Sequence, residues 1–500
     1  MLSCTHLSDP YPPWRKPVVA VCVVVLIFLY YWALFSDGKF LAVKPVLHGL
    51  MFNSMIEHLS HGRFDVDPES ILIEGFERDG RTYAYFGVVP ALLRAPILLF
   101  PRLLTVDFTV ISCAIAATLT ATANLAATLV AGRTIRGAGY KRRLLLFAMT
   151  AVIFGGSQVQ FSYPSIFQEA ISWASAIAAL FLLMVFRWCV EPAGRRSSHL
   201  ATMALLAGLC LLTRVSTSIG VYAACGGIML TELIAAIRLR DGGLPARLVR
   251  VVSHSILTPS LILIAFAAIC GYINFERWGS PVTFQDYRYY NSTPPDDPVF
   301  VVLNNYGYFN FRRIPFALSY FFFPIWTIIR PDGHFLFREL QDRLFYIVEL
   351  PPATFFASDL FLCFLAVLGC LFLSRRRPFG IDRAAAWMVA IGFTIPGLFM
   401  LMAIAVTFRY RMEFYPFLEF VALFGLIHLS KKFTAHPRSL TAVCGAMIVV
   451  SVVSAHVFMV AYKISPWGDS IRIETAGWGT GYHEFFNFKY PGIDHYLMAH

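Results

Sequence analysis

The 500-residue sequence predicts an all-α polytopic membrane protein with about eleven transmembrane helices and two interfacial helices in its first outer loop. Three observations carry that reading. The chain is 57% hydrophobic and only 14% charged, where soluble domains carry about 25% charged residues. Apolar runs of about 20 residues recur along its whole length. The charges between those runs are sorted by sign, as the positive-inside rule requires.

The first run, residues 18–35 ("VVAVCVVVLIFLYYWALF"), follows Arg15 and Lys16. Trp32, Leu34 and Ser36 stand where a small-x-small cleavage site would be, so it reads as an uncleaved first helix. Further spans are expected near 107–131, 144–160, 167–188, 200–215, 218–237, 251–273, 357–374, 385–407, 412–430 and 440–461. With the N-terminus in the cytoplasm, the inner pieces hold 21 of the 41 Lys and Arg but only five of the 30 acids. A wrong number of spans would scramble that split. The net charge of +11 is therefore a membrane-topology signal, and nucleic-acid binding is excluded as a reading.

Residues 86–104 ("FGVVPALLRAPILLFPRLL") are long enough to span but carry Gly87, Arg94 and several prolines. They read as an interfacial helix. Residues 49–62 form a second one, with Met51, Met55 and Leu59 at helical spacing. Between them runs "GRFDVDPESILIEGFERDGRTYAYFG", an acidic connector in an otherwise oily chain. The expected organisation is a transmembrane module over 1–274 with its first outer loop at 36–106. An aromatic-rich outer loop over 275–356 follows, then C-terminal helices over 357–461 and an outer tail over 462–500. All ten cysteines fall in spans or on the inner side, so neither a disulfide framework nor a cysteine metal site is expected.

The spans hold few polar intrusions, chiefly Asn124, Glu419 and His456. Ion-coupled transporters usually place acids near the midplane, so this pattern weakens a transporter reading. The chemistry-bearing residues gather at the outer ends of helices. Asp37 directly follows the first span, and Asp65, Asp67 and Glu74 lie in the acidic connector. A carboxylate at the water–lipid boundary can serve as a general base, and the spacing of Asp65 and Asp67 could also hold a divalent cation. The competing reading is a solvated acidic loop. Arg214 ends the fifth span, and Arg409 and Arg411 lie at the turn between the ninth and tenth. Arginines there suit a lipid phosphate through bidentate hydrogen bonds, while snorkelling to ordinary headgroups is the competing account. The tyrosines of "FQDYRYYN" and "NNYGYFNF" suit either an interfacial belt or stacking on a sugar ring. Asn291-Ser292-Thr293 matches the glycosylation sequon by pattern alone.

These elements, in this order, resemble the polyprenyl-phosphate-dependent glycosyltransferases of the GT-C fold, such as protein O-mannosyltransferases and aminoarabinose transferases. The matching elements are the Asp after the first span, "MIEHLSHGRF", the Gly-x-x-Tyr-x-Tyr of "DGRTYAYFGVVPALLRAP", "GLCLLTRVST", "YINFERWGSPVTFQDYRY" and "FRYRMEFYPF". The resemblance implies a GT-C-like fold and transfer of a sugar from a polyprenyl-phosphate donor to an extracytoplasmic glycan, lipid or protein. It implies Asp37 as catalytic base on the face of the sugar opposite the phosphate, with direct displacement inverting the anomeric centre. Gly38 stands where the family usually has a second acid, which keeps Asp65, Asp67 and Glu74 as alternates. It further implies Arg409, Arg214 and Arg411 as donor-phosphate ligands, and Tyr83, Tyr85, Arg277, Tyr287 and Tyr410 as substrate-lining residues. A plasma-membrane location and, in some relatives, a divalent cation go with it. The alternative is a flippase or exporter of lipid-linked sugars, which needs a lipid groove but no base.

Overall fold

The computed structural model describes residues 15–135, 138–190, 197–238, 252, 256–291, 298–323, 338–349, 354–375, 382–433 and 437–463. The expected tail from 464 onward, residues 191–196 and 239–250 of the connections 187–199 and 238–250, and Ser292-Thr293 of the sequon lie outside the described residues.

A helix stands at each position where the sequence predicts a span. They are α1 (Arg15–Phe35), α3 (Thr109–Thr134), α4 (Ala138–Phe154), α5 (Ile166–Val190), α6 (Ser197–Leu211) and α7 (Val215–Arg238), followed by α8 (Leu257–Trp278), α9 (Leu360–Ser374), α10 (Arg383–Met402), α11 (Tyr415–Phe433) and α12 (Pro437–Lys463). Surface helix α2 (Met51–Ser60) lies between α1 and α3. Among the described helices, eight are long and apolar enough to cross a membrane, while α6 and α9 are apolar but only 15 residues each. This is an all-α polytopic membrane protein. Helices α3, α5 and α11 are mostly buried within the bundle. Helices α1, α8 and α12 form its rim and expose Val19, Leu26, Ile264 and Val453, the side chains a bilayer would cover.

Helices α9 and α11 cross at van der Waals contact because two glycines meet there. A Cβ on Gly369 would sit 1.8 Å from the Val421 carbonyl oxygen, and one on Gly425 1.9 Å from that of Leu365. Small residues let membrane helices approach this closely, where packing supplies the attraction that the hydrophobic effect no longer does.

The segments between α1 and α3 and around α8–α9 gather on one side of the bundle, here termed the loop face. On it α2 buries Met51, Phe52, Met55 and Ile56, the stripe its spacing predicts. Residues 89–105 form three short helical turns rather than one helix, since Pro90, Pro96 and Pro101 each open a new turn. Leu92, Leu93, Leu99 and Phe100 stay exposed, as an interfacial segment requires. Arg94 turns inward instead. It meets Glu169 of α5 at 2.5 Å and Asn53 of α2 at 2.6 Å, and Ser112 of α3 donates to the same Glu169 at 2.6 Å. Four elements are thus tied by one buried pair.

The acidic connector contains a hairpin that the sequence reading did not anticipate. Strands β1 (Phe76–Arg78) and β2 (Arg81–Tyr83) pair antiparallel around Asp79-Gly80. Both turn residues have positive φ, 53° and 71°, the two-residue turn that Asp-Gly favours. A second pairing, β3 (Ile347–Val348) with β4 (Ala405–Val406), is parallel and brings the long loop to the turn before α11. That loop is stapled by Arg313, which is fully buried and donates only to carbonyl oxygens, those of Leu344, Tyr308, Met402 and Gly307.

Candidate active site

The turn Phe408–Phe414 sets three charged side chains in alternate directions. Its start is fixed by Glu349, which follows β3 and accepts from the Phe408 backbone N–H at 2.7 Å. Burial raises the Glu349 pKa, and the Arg409 guanidinium and the Phe408 N–H offset only part of that rise. Arg411 points into the bundle. It is fully buried, donates to Asp359 at 3.0 Å, Ser358 at 2.8 Å and Gln160 at 2.6 Å, and lies over the Phe355 ring. Glu413 points to the α6–α7 junction and accepts from Arg214 at 2.7 Å, Ser216 at 2.5 Å and Thr217 at 2.8 Å. Two of the three candidate phosphate arginines are therefore engaged by acids.

Arg409 differs. It stands over the Phe167 ring, 4.0 Å from its centroid, and has no hydrogen bond or ion pair among the described residues. Its charge lies in the field of Glu349, Tyr85, Tyr163 and Tyr462. Phe167 is part of a run of rings: it packs on Phe86 at 5.6 Å, and Tyr85 stacks on Phe86 at 4.3 Å. Tyr163 and Tyr462 share a hydroxyl–hydroxyl bond of 3.1 Å. The result is a half-buried guanidinium that makes no hydrogen bond among the described residues and lies near Tyr85, Tyr163 and Tyr462, a neighbourhood here termed the basin. A guanidinium fork matches the oxygens of a phosphate.

Glu74 borders the same basin. It ends the turn Leu72–Glu74, whose first residue carries φ +49°, a strained value for leucine. The second loop fastens that turn. The Asn291 N–H donates to the Gly75 carbonyl at 2.9 Å, and Tyr290 pairs with Phe76 by a β-bridge and by rings 4.9 Å apart. The Tyr290 hydroxyl donates to Glu74 Oε2 at 2.9 Å. Burial raises the Glu74 pKa; the Tyr290 bond and the field of Arg409 pull it back in part. A carboxyl held above its ordinary range near a free arginine is suited to taking and releasing a proton.

The other first-loop acids have different surroundings. Asp37, with φ +54°, lies between Lys44 at 3.0 Å and Lys463 at 2.8 Å. Desolvation pushes its pKa up, but the two ammonium groups outweigh it and hold it below the usual carboxylate value. Asp65 is buried and paired with Arg63 through both oxygens, which outweighs desolvation and lowers its pKa. Asp67 accepts from Ser54 at 2.8 Å. The His58 ring stands between the two, Nδ1 3.4 Å from Asp65 and Nε2 3.1 Å from Asp67. The carboxylates thus face opposite sides of one imidazole. Among the described residues, no group of three or more His, Cys, Asp or Glu is arranged to hold a metal ion.

Of the substrate-lining candidates, Tyr85, Tyr287 and Tyr410 come together. The Tyr85 hydroxyl lies in the field of Glu74, Arg409, Tyr410 and Tyr287, and burial raises its pKa well above the ordinary phenol value. Tyr287 stacks on Tyr308 at 5.8 Å beside Tyr290. Tyr83 instead packs in a small core with Phe76 and Trp278. Arg277 is buried beneath the hairpin, donating to the Phe86 carbonyl at 2.8 Å, while its own carbonyl accepts from Arg78. Sequence reasoning missed Glu349, Tyr163, Phe167, Tyr290 and Tyr462. Only Tyr290 had a signal, as part of the aromatic run "YRYYN".

No protein-family description and no curated protein matches the chain. Among solved structures it is similar to the Archaeoglobus fulgidus oligosaccharyltransferase in its apo form, at 15% identity and TM-score 0.47 over 96% of this chain and 60% of that one. The same protein, AglB, in complex with an inhibitory peptide and a dolichol-phosphate gives 14% identity and TM-score 0.46 over 95% and 60%. ArnT from Cupriavidus metallidurans bound to undecaprenyl phosphate gives 13% identity and TM-score 0.39 over 90% and 71%. The chain thus spans about 60% of the length of the oligosaccharyltransferase. The functional reading below is built on the residues of the basin.

Proposed function

We propose that the protein is an integral membrane glycosyltransferase that moves a sugar from a polyprenyl-phosphate donor to an acceptor hydroxyl or amide outside the plasma membrane. One observation carries the reading: Arg409 makes no hydrogen bond or ion pair among the described residues and lies near Tyr85 and the carboxyl of Glu74. Arg409 binds the donor phosphate. The prenyl tail leaves between helices into lipid, and the sugar lies against Tyr85, Tyr287 and Tyr410. Of the four acids open from the sequence, Glu74 is the base, because its carboxyl is held by Tyr290 and lies in the field of Arg409. It takes the acceptor proton as the acceptor attacks the anomeric carbon. The carbon–oxygen bond to phosphate breaks, and its electron pair leaves on the polyprenyl phosphate, where Arg409 stabilises the added charge. Attack opposite the leaving group inverts the anomeric centre. The N-terminus is cytoplasmic and the loop face extracytoplasmic. The acceptor is a cell-envelope glycan, lipid or protein.

The test uses the full-length protein in vesicles supplied with a polyprenyl-phosphate sugar. Glycan transfer that fails in Arg409→Gln and Glu74→Gln supports the reading. Transfer at the wild-type rate in Arg409→Gln would overturn the donor site. Transfer at that rate in Glu74→Gln would return the base to Asp37, Asp65 or Asp67. Movement of intact lipid-linked sugar across the vesicle without any product would make the protein an exporter instead.

A further inference from the structure

We propose that a chamber among α3, α4, α9, α11 and α12 is a binding site for the hydroxylated end of a single-chain lipid. The chamber has a volume of about 70 Å³, several times the roughly 10–15 Å³ that one water needs. None of the residues around Arg409 lines it, so it is separate from the basin on the loop face. Its walls are apolar, built from Ala127, Val152, Leu182, Leu365, Leu423 and Leu426. Asn124, Ser157 and Glu419 form one polar end; Thr128, Ser451 and Asp359, the last already paired with Arg411, also line it.

That end is incompletely satisfied. Asn124 is only 5% exposed, and its Oδ1 has no hydrogen-bond partner among the described residues. Asn124 lines the chamber beside Ser157 and Glu419. A buried acceptor without a donor is costly, and an O–H group entering from the chamber removes that cost. Beyond Glu419 lies a second space of about 10 Å³ lined by Thr120, Gln158, Thr217 and Tyr415, with room for one water at most. The larger chamber therefore asks for a ligand with one polar end and an apolar body. Ser451 of α12 lines it, and Val453 and Val457 of the same helix are exposed on the outside of the bundle, where a bilayer would cover them. A molecule from the bilayer with a hydroxyl and one alkyl or prenyl chain meets all three conditions: depth, shape and a donor for Asn124.

The test is photolabelling of the full-length protein in lipid nanodiscs with a diazirine-bearing long-chain alkanol. Saturable labelling on α3 or α11 peptides, displaced by unlabelled alkanol, is the expected result. Asn124→Leu should weaken half-saturation about fivefold, the effect of one hydrogen bond. Ala422→Phe should abolish the label by filling the chamber, and Ala148→Leu gives a second filling variant should the first fold poorly. Labelling that is unsaturable, or unchanged in both filling variants, overturns the site. An alkyl diazirine lacking the hydroxyl that binds equally well overturns the role of Asn124. The readout is binding, so it stands or falls independently of the transferase reading.

Discussion

The Tyr290 hydroxyl donates to Glu74 Oε2 at 2.9 Å, joining two loops whose contact residues are 216 positions apart. The first loop contributes the acid and the second holds it. Because Tyr290 also bridges Phe76, the turn bearing Glu74 is fixed on both sides. This bond stabilises the ionised carboxyl against the burial that disfavours it.

A pH dependence follows, with a definite sign. A base must be ionised to act, so transfer rises with pH through the pKa of Glu74, which lies above the ordinary glutamate value. Tyr290→Phe removes a donor from the ionised form and moves that acid limb to still higher pH. At alkaline pH its rate recovers toward wild type, whereas Glu74→Gln stays low, by a factor on the order of 10²–10⁴, at every pH. Rate–pH profiles of kcat for the three proteins check this; an unshifted limb in Tyr290→Phe would remove Glu74 from the role.

Arg409 and Arg411 separate by phenotype. Among the described residues Arg409 has no hydrogen bond or ion pair to lose, only its place over the Phe167 ring, so Arg409→Gln should unfold close to wild type while kcat falls on the order of 10²–10³-fold. Arg409→Lys keeps the charge but not the fork and should fall in between. Arg411→Gln should chiefly cost stability, because Asp359 would be left buried beside it without its cation. Breaking one side of such a pair costs about 3–5 kcal/mol. Thermal unfolding in detergent and initial rates, measured together, distinguish the two classes.

The helices were legible because long apolar runs have few alternatives in a bilayer, and the surface stripe of Met51 and Met55 follows from helical spacing. The basin was legible only in part. Arg409 and Glu74 could be named as an arginine and an acid near the membrane edge, yet nothing local distinguishes Arg409 from Arg411 two positions on. Their difference arises from Asp359 and Gln160, the latter 251 residues from Arg411 in sequence. Glu349 and Tyr462 approach Arg409 from two other chain segments, the long second loop and the end of α12. The hairpin is another matter: Asp79-Gly80 between alternating residues was a local signal, masked by the expectation of a polar connector.

Asp37 provides a contrast within the first loop. Its pKa is lowered by Lys463 and Lys44, so the stability it contributes is present above the ordinary aspartate pKa and lost as pH falls through its depressed value. The side chain is 44% exposed, and such pairs contribute at most about 1 kcal/mol each. Asp37→Asn should lower the unfolding temperature slightly at neutral pH, by an amount that shrinks as pH falls below the ordinary aspartate pKa, while transfer persists. Complete loss of transfer with an unchanged unfolding temperature would instead make Asp37 the base.

The buried Arg94–Glu169 pair yields the sharpest stability test. Both side chains are nearly inaccessible, and Asn53, Thr109 and Ser112 complete their hydrogen bonds. Glu169→Met leaves the Arg94 charge without its acid among α2, α3 and α5, so destabilisation of about 3–5 kcal/mol is expected. Arg94→Met leaves the carboxylate in the same position and should cost a similar amount. The double replacement removes both charges and fills their space with apolar atoms, so most of the loss should be recovered. A double-mutant cycle of unfolding free energies measures that coupling. Additive losses in the double variant would show that Arg94 and Glu169 act separately, and that the prolines of residues 89–105 alone fix the surface turns.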